Sequence, residues 1–158
     1  MRKKTSIVSI LSLLLISGCA FTPSSPEGMR NNGTFVKTFC SQAAADETAK
    51  RIADGWKRCY FIGPTASGQQ AVVVGGVPML VPTRAGSGDY LDVTTSGHRI
   101  TVAKGNIGAG NVQMMADIEP TASCPAQVTI RGGNFAWSGK AATAEVFSAK
   151  PDTSCKEL

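Results

Sequence analysis

The chain has 158 residues, 16 of them Lys or Arg and 11 Asp or Glu, with a formal net charge of +5; that length suits one domain of ordinary size. Three of the basic residues, Arg2, Lys3 and Lys4, precede an apolar run, and beyond them the balance is 13 against 11, or +2. So even a balance removes most of the case for a nucleic-acid-binding or anionic-membrane-binding surface. After the apolar run Leu is scarce while Val, Thr, Ala and Gly are common, which points to sheet and away from a helical bundle.

Residues 7–16 are apolar apart from Ser9 and Ser12, and the run closes on Ile16-Ser17-Gly18-Cys19. A positive start, a short apolar centre and a small-residue exit make a secretory signal, and the run is about half the roughly 20 residues of a membrane span. Its last four residues resemble the lipobox of bacterial lipoproteins, in which the cysteine is lipidated and becomes the first residue of the mature protein. The resemblance implies that residues 1–18 are removed and that Cys19 carries diacylglycerol on its thiol, with a third chain on its amine in many bacteria. Two or more chains anchor stably where one is marginal. Because Ala20 and not Asp follows Cys19, the resemblance further implies the periplasmic face of the outer membrane. The first implied partner is therefore membrane lipid, reached through acylated Cys19.

Once Cys19 carries lipid, Cys40, Cys59, Cys124 and Cys155 remain. An even count in an exported domain predicts two disulfides, with all three pairings open. No Cys-x-x-Cys spacing occurs and His98 is the single histidine, so no metal and no cofactor is expected.

Residues 20–33 are rich in Pro, Ser, Gly and Asn without apolar period. They read with Cys19 as a flexible tether, 19–33, ahead of a single folded domain, 34–158. Residues 34–39 alternate as a short strand. A helix follows, with Ser41 as N-cap, Asp46 and Glu47 in its early turns, and Ala45, Ala49, Ile52 and Trp56 on its apolar face. Lys50, Arg51, Asp54 and Lys57 are left to solvent. Gly55 either sits within the helix or ends it. An end at Gly55 would let the chain bring Cys59 back toward Cys40, whereas a continuous helix would hold the two about 28 Å apart.

From Gly68 onward short strands alternate with turn residues. Segments 69–74 and 77–81 flank Gly75-Gly76, a hairpin signal, with Pro78 and Pro82 suiting an edge. Segments 90–95 and 98–103 flank Ser96-Gly97, 112–118 is the next strand, 127–131 and 134–138 flank Gly132-Gly133, and 141–148 is the last. The expected fold is α+β: one N-terminal amphipathic helix packed against, or plugging one end of, an antiparallel sheet of about six to eight strands built from hairpins.

The candidates for chemistry are few. Residues 104–111 (KGNIGAGN) lack the Gly-Lys-Ser/Thr ending of a phosphate loop and read as a strand connection. His98 has no nucleophile elbow to serve and reads as a solvated turn residue. Asp89 and Asp92 make a poor glycosidase pair, and Trp56 and Trp137 read as core. No catalytic residue is predicted and the protein is not expected to be an enzyme. The loop 82–90 is the expected contact surface, because loops on a rigid sheet concentrate binding residues; Arg84, Ser87, Asp89 and Tyr90 are its candidates. Ser87-Gly88-Asp89-Tyr90 resembles, one residue shorter, the Ser-Gly-x-x-Tyr loop of the periplasmic C-type lysozyme inhibitors, small disulfide-bonded β-proteins whose loop enters the lysozyme cleft. The expected function is a non-catalytic outer-membrane lipoprotein, a periplasmic binding or accessory module for another cell-envelope component, with a second envelope protein as partner. The loop resemblance implies an alternative, inhibition of lysozyme-type hydrolases.

Overall fold

The computed structural model describes residues 22–62, 69–74, 77–82 and 88–158. The helix expected from Ser41 forms as α2, Ala45–Tyr60, with Ala49, Ile52 and Trp56 buried as their spacing requires. Asp46 and Glu47 lie in its first turn and Lys57 and Arg58 in its last, so both ends suit the helix dipole. The N-cap differs from expectation. Ala44 holds that position without a side-chain bond, because Ser41 is the last residue of strand β1, Thr34–Ser41, and pairs with Ala126. The buried Ser41 hydroxyl instead accepts from the Thr48 hydroxyl at 2.9 Å.

Gly55 lies inside α2 for a packing reason. A Cβ built there would stand 2.5 and 2.6 Å from Cδ2 and Cδ1 of Phe147, whose ring is fully buried. Gly55→Ala gains about 1 kcal/mol of helix propensity but forces this ring aside at an overpacking cost of about 1–3 kcal/mol. We therefore expect a net loss of stability, read as a lowered urea midpoint; a raised midpoint would contradict this packing.

The main sheet is antiparallel and has five strands: β1, β4 (Asp89–Ser96), β5 (Arg99–Asn106), β6 (Asn111–Thr121) and β7 (Cys124–Gly132), in the order β1-β7-β6-β5-β4. The hairpin predicted around Gly75-Gly76 forms as β2 (Gln69–Val74) and β3 (Val77–Pro82), a separate two-stranded sheet. The β4–β5 turn falls one residue later than expected, on Gly97 and His98, with Gly97 at φ +61, a left-handed value that glycine takes without steric cost.

The six-to-eight-strand expectation fails at the C-terminal third. Segments 134–138 and 141–148 are helical: α3 is Phe135–Ala142 and α4 is Ala144–Ala149. The Asn134 side chain accepts from Trp137 N–H at 3.1 Å, an N-cap of ordinary kind. Ala141, Ala144 and Phe147 recur at a helical spacing of three and are all buried. Gly132-Gly133 makes no hairpin. A Cβ on Gly132 would meet the Ser138 backbone nitrogen at 2.6 Å, so the pair lets α3 fold back tightly onto the strand it follows.

The expected tether is also shorter. Pro26–Asn32 form a helix, α1, capped by Ser25 accepting from Gly28 N–H at 3.0 Å. Met29 is fully buried against Ala103, Val112 and Met115. Arg30 donates from Nε and Nη2 to the two Asp117 carboxylate oxygens, each at 2.9 Å. A compositionally loop-like segment is thus pinned to the sheet by one apolar and one forked ionic contact, the geometry for which Arg is suited. Burial pushes the Asp117 carboxyl up, but Arg30 and the Thr101 hydroxyl more than offset this and hold it below the usual carboxylate range.

One sheet face therefore carries α1 and a polar surface. The other is covered by α2, α3 and α4, whose Ile52, Trp56, Ala141, Ala144 and Phe147 pack on Ile100, Val102, Ala116, Ile118, Val128 and Ile130. The disulfides are Cys40–Cys124, joining β1 to the start of β7, and Cys59–Cys155, joining the end of α2 to the C-terminal tail, with Cα separations of 5.8 and 5.4 Å. Of the two readings of Gly55 the continuous helix holds, and Cys59 accordingly pairs with Cys155 and not with Cys40.

Candidate binding cleft around Trp137

The alternation of β5 places Lys104 on the same face as Ile100 and Val102, and Lys104 is 1 % exposed. A charge at such a position requires partners. Its ammonium lies 2.8 Å from Asp89 Oδ2 and donates to Gln113 Oε1 at 2.5 Å. The indole of Trp137 covers it with the ring centroid 4.4 Å away, within cation–π range. Strand pairing brings these groups together: Leu91 faces Lys104 across β4–β5, and the register shift next to Lys104 on β5–β6 accommodates Gln113 as an extra residue.

Asp89 is held from the other side as well. Its Oδ2 accepts from Ile62 N–H at 3.0 Å and its Oδ1 from the Asn106 amide at 3.3 Å. Burial raises its pKa, but Lys104 and the Ile62 N–H outweigh it, so the carboxyl titrates below its ordinary value. Burial pushes the Lys104 ammonium down; Asp89 opposes this and nearby Lys140 adds to it. The pair is a desolvated, fully partnered ion pair.

Above it opens a cleft of about 300 Å³ lined by Tyr60, Ile62, Asp89, Asn106, Gln113, Trp137 and Lys140, among others. Trp137 is half-buried: it packs against the core as expected and its other side forms one wall of the cleft. Trp56, by contrast, is fully buried as expected. Exposed Lys140 sets its ammonium 4.3 Å from the Trp137 centroid and 5.8 Å from that of Tyr60. Among the described residues Lys140 has no carboxylate within ion-pair distance. The cleft thus offers aromatic faces, two amide side chains and one ammonium to a ligand, a small set of polar groups converging on an apolar surface.

The residues singled out from sequence are placed as follows. Cys19, Arg84 and Ser87 lie outside the described residues. Asp89 is turned inward, 5 % exposed, in the ion pair. Tyr90 is partly buried beside Met29 and Met115 and opposite Gly105, where a Cβ would stand 2.5 Å from its Cζ; its hydroxyl donates to Asn111 O at 3.3 Å. Burial raises the Tyr90 hydroxyl pKa. His98 is exposed at its turn, and residues 107–110 connect β5 to β6. No group of three His, Cys, Asp or Glu side chains suited to a metal occurs among the described residues. Sequence reading missed Lys104, Gln113 and Lys140. The available signal was a lysine at an apolar-face position in a strand otherwise reading Ile-Thr-Val-Ala.

Compared with protein-family models, with curated proteins and with solved structures, the chain matches none.

Proposed function

We propose that the chain is a non-catalytic, lipid-anchored binding module of the outer membrane, facing the periplasm, whose cleft around Trp137 receives part of another cell-envelope component. The observation that carries the binding reading is the exposed Lys140 ammonium over the rings of Trp137 and Tyr60 at the mouth of the cleft. The other ammonium on the Trp137 ring, Lys104, is already neutralised by Asp89. The cleft is therefore net positive and suits a ligand with an anionic group beside a flat, weakly polar face. Asp89 lines the cleft with its charge taken up by Lys104, which is buried beneath it. Two disulfides support the exported setting, since such bonds persist in oxidising compartments. Of the 82–90 loop's four candidates, Asp89 and Tyr90 bind other parts of the same domain, and Arg84 and Ser87 lie outside the described residues, so the cleft around Trp137 is the better supported contact surface.

Lys140→Glu tests the cleft. It reverses the one exposed charge without touching the core, and we expect recovery of the bound component, cross-linked in intact cells and purified with the protein, to fall about tenfold or more. Unchanged recovery with a folded variant would reject the cleft as the binding site.

A further inference from the structure

The described chain joins the fold at one end of the sheet, and that end is fringed with exposed apolar side chains. Pro23 O accepts from Val112 N–H at 2.7 Å, and Thr22 Cγ2 would stand 2.5 Å from a Cβ on Gly133. The first described residues therefore lie beside the start of β6 and the end of β7. Across the sheet, the same end carries the 107–110 turn, whose Ile107 N–H donates to Gly88 O at 2.8 Å, and Ile62, whose carbonyl accepts from Asp89 N–H at 3.0 Å.

Four large apolar side chains are exposed here: Phe135 at 95 %, Ile62 at 71 %, Phe35 at 60 % and Ile107 at 40 %. Phe135 is two residues beyond Gly133, and Phe35 pairs with Arg131 at the end of β7. The loop sequences at this end, Asn-Ile-Gly-Ala-Gly-Asn at 106–111 and Gly-Gly-Asn-Phe-Ala at 132–136, contain no charge. The opposite end holds the turns at Gly97-His98 and Ala122-Ser123; no large hydrophobic residue is exposed at those turns. Val93, Val146 and Leu158 are exposed elsewhere, one to an element; such scattered hydrophobes need no explanation, but a group that holds the three most exposed ones at one end does.

We propose that this end lies against the surface of the bilayer, with Phe135 and Ile107 entering the headgroup region. The proposal rests on the lipid-anchor reading. Cys19 precedes Thr22 by three residues, a reach of about 11 Å at most when extended. An acylated Cys19 sits at the edge of the hydrocarbon, and the headgroup layer adds only about 5–8 Å on each side. The domain is thus held at the membrane by the end that carries Phe135. A fringe of aromatic and aliphatic side chains, with the exposed Lys140 ammonium in the cleft beside Ile62, suits that layer, where aromatic rings concentrate and amphipathic surfaces combine buried apolar side chains with cations that meet anionic headgroups.

The test uses the full lipidated protein, purified from membranes and reconstituted into vesicles of phosphatidylethanolamine and phosphatidylglycerol. One variant carries Phe135→Trp, at a position too exposed to disturb folding, and a second carries His98→Trp at the opposite end. With lipids brominated in the upper acyl chain, the fluorescence added by Phe135→Trp is expected to fall about twofold or more, and that added by His98→Trp to stay unchanged. Quenching of neither or of both equally would overturn the orientation. No quenching at Phe135→Trp would assign the fringe to a protein partner instead. Intact mass of the purified protein, with Cys19→Ser as the unlipidated reference, checks the anchor separately. Absent acyl mass defeats the anchor reading, whereas acylated protein with unquenched Phe135→Trp defeats the orientation alone.

Discussion

Asp89→Ala is expected to destabilise the domain by about 3–5 kcal/mol, the cost of leaving one member of a buried ion pair uncompensated. Lys104 would keep only Gln113 and the Trp137 ring around an ammonium that is 1 % exposed, and Ile62 N–H and the Asn106 amide would lose their acceptor too. Because Asp89 also fixes the start of β4 to Ile62, the cleft should loosen along with the fold. Urea unfolding of the single variant gives the cost. Asp89→Leu combined with Lys104→Met gives its cause, since an apolar replacement of both charges removes the unpaired ion and should recover most of the lost stability. A single variant within about 1 kcal/mol of the parent would mean that water reaches the ammonium and that the site is not sealed.

The same pair, with Asp117, sets the acid limb of stability. Both carboxyls titrate below their ordinary value in the folded protein. The unfolded chain therefore takes up protons first, at about pH 4, and the stabilisation that both contribute is complete above that value and is lost as pH falls through their depressed folded values. Asp89 releases the floor of the cleft and Asp117 releases α1 through Arg30, so loss of the cleft and loss of α1 should accompany each other in acid.

How much of this architecture was legible in the sequence follows from which signals are local. α2 was readable because Ala45, Ala49, Ile52 and Trp56 repeat at a helical period over a length sufficient to show it. The β2–β3 and β4–β5 hairpins were readable because Gly75-Gly76 and Gly97 mark their turns. The C-terminal helices were misread for a related reason. Gly132-Gly133 is a turn signal in sequence, but its role is set by Ser138 and Thr22 packing onto it, contacts that no local pattern reveals. α1 was hidden in the same way: Pro, Ser, Gly and Asn suggest a loop, and the helix is held by Met29 and by Arg30 reaching Asp117, 87 residues away. The cleft is not legible locally because its parts come from α2, β4, β5, β6 and α3. Only Lys104, a charge on an apolar strand face, is a local sign of it, and its glycine-rich neighbourhood 104–111 carries the composition of a loop.

Loss of both disulfides is expected to leave the domain unfolded at 37 °C. Cys40–Cys124 and Cys59–Cys155 join residues 84 and 96 apart in sequence, and in the chain-entropy account each bridge of this span is worth about 4–5 kcal/mol. The two loops interleave, so their effects do not simply add, but a joint loss approaching the roughly 8–10 kcal/mol of the two taken separately would exhaust most of the lower half of the 5–15 kcal/mol typical of a domain. Each bridge alone should be survivable. Without Cys40–Cys124, β1 still pairs with β7 from Thr34 to Ser41. Without Cys59–Cys155, Arg58 still donates to the carbonyls of Pro151 and Thr153 at 2.6 and 3.1 Å. Circular dichroism against temperature for the paired Cys→Ser variants, singly and combined, reads this directly. Two single variants that melt lower yet cooperatively, with no transition left in the combined variant, are expected. A combined variant that still melts within a few degrees of the parent would place the stability in the α2–sheet core alone. The expected result makes folding conditional on an oxidising compartment, so that a chain retained on the reducing side of the membrane would present neither the cleft nor the apolar fringe.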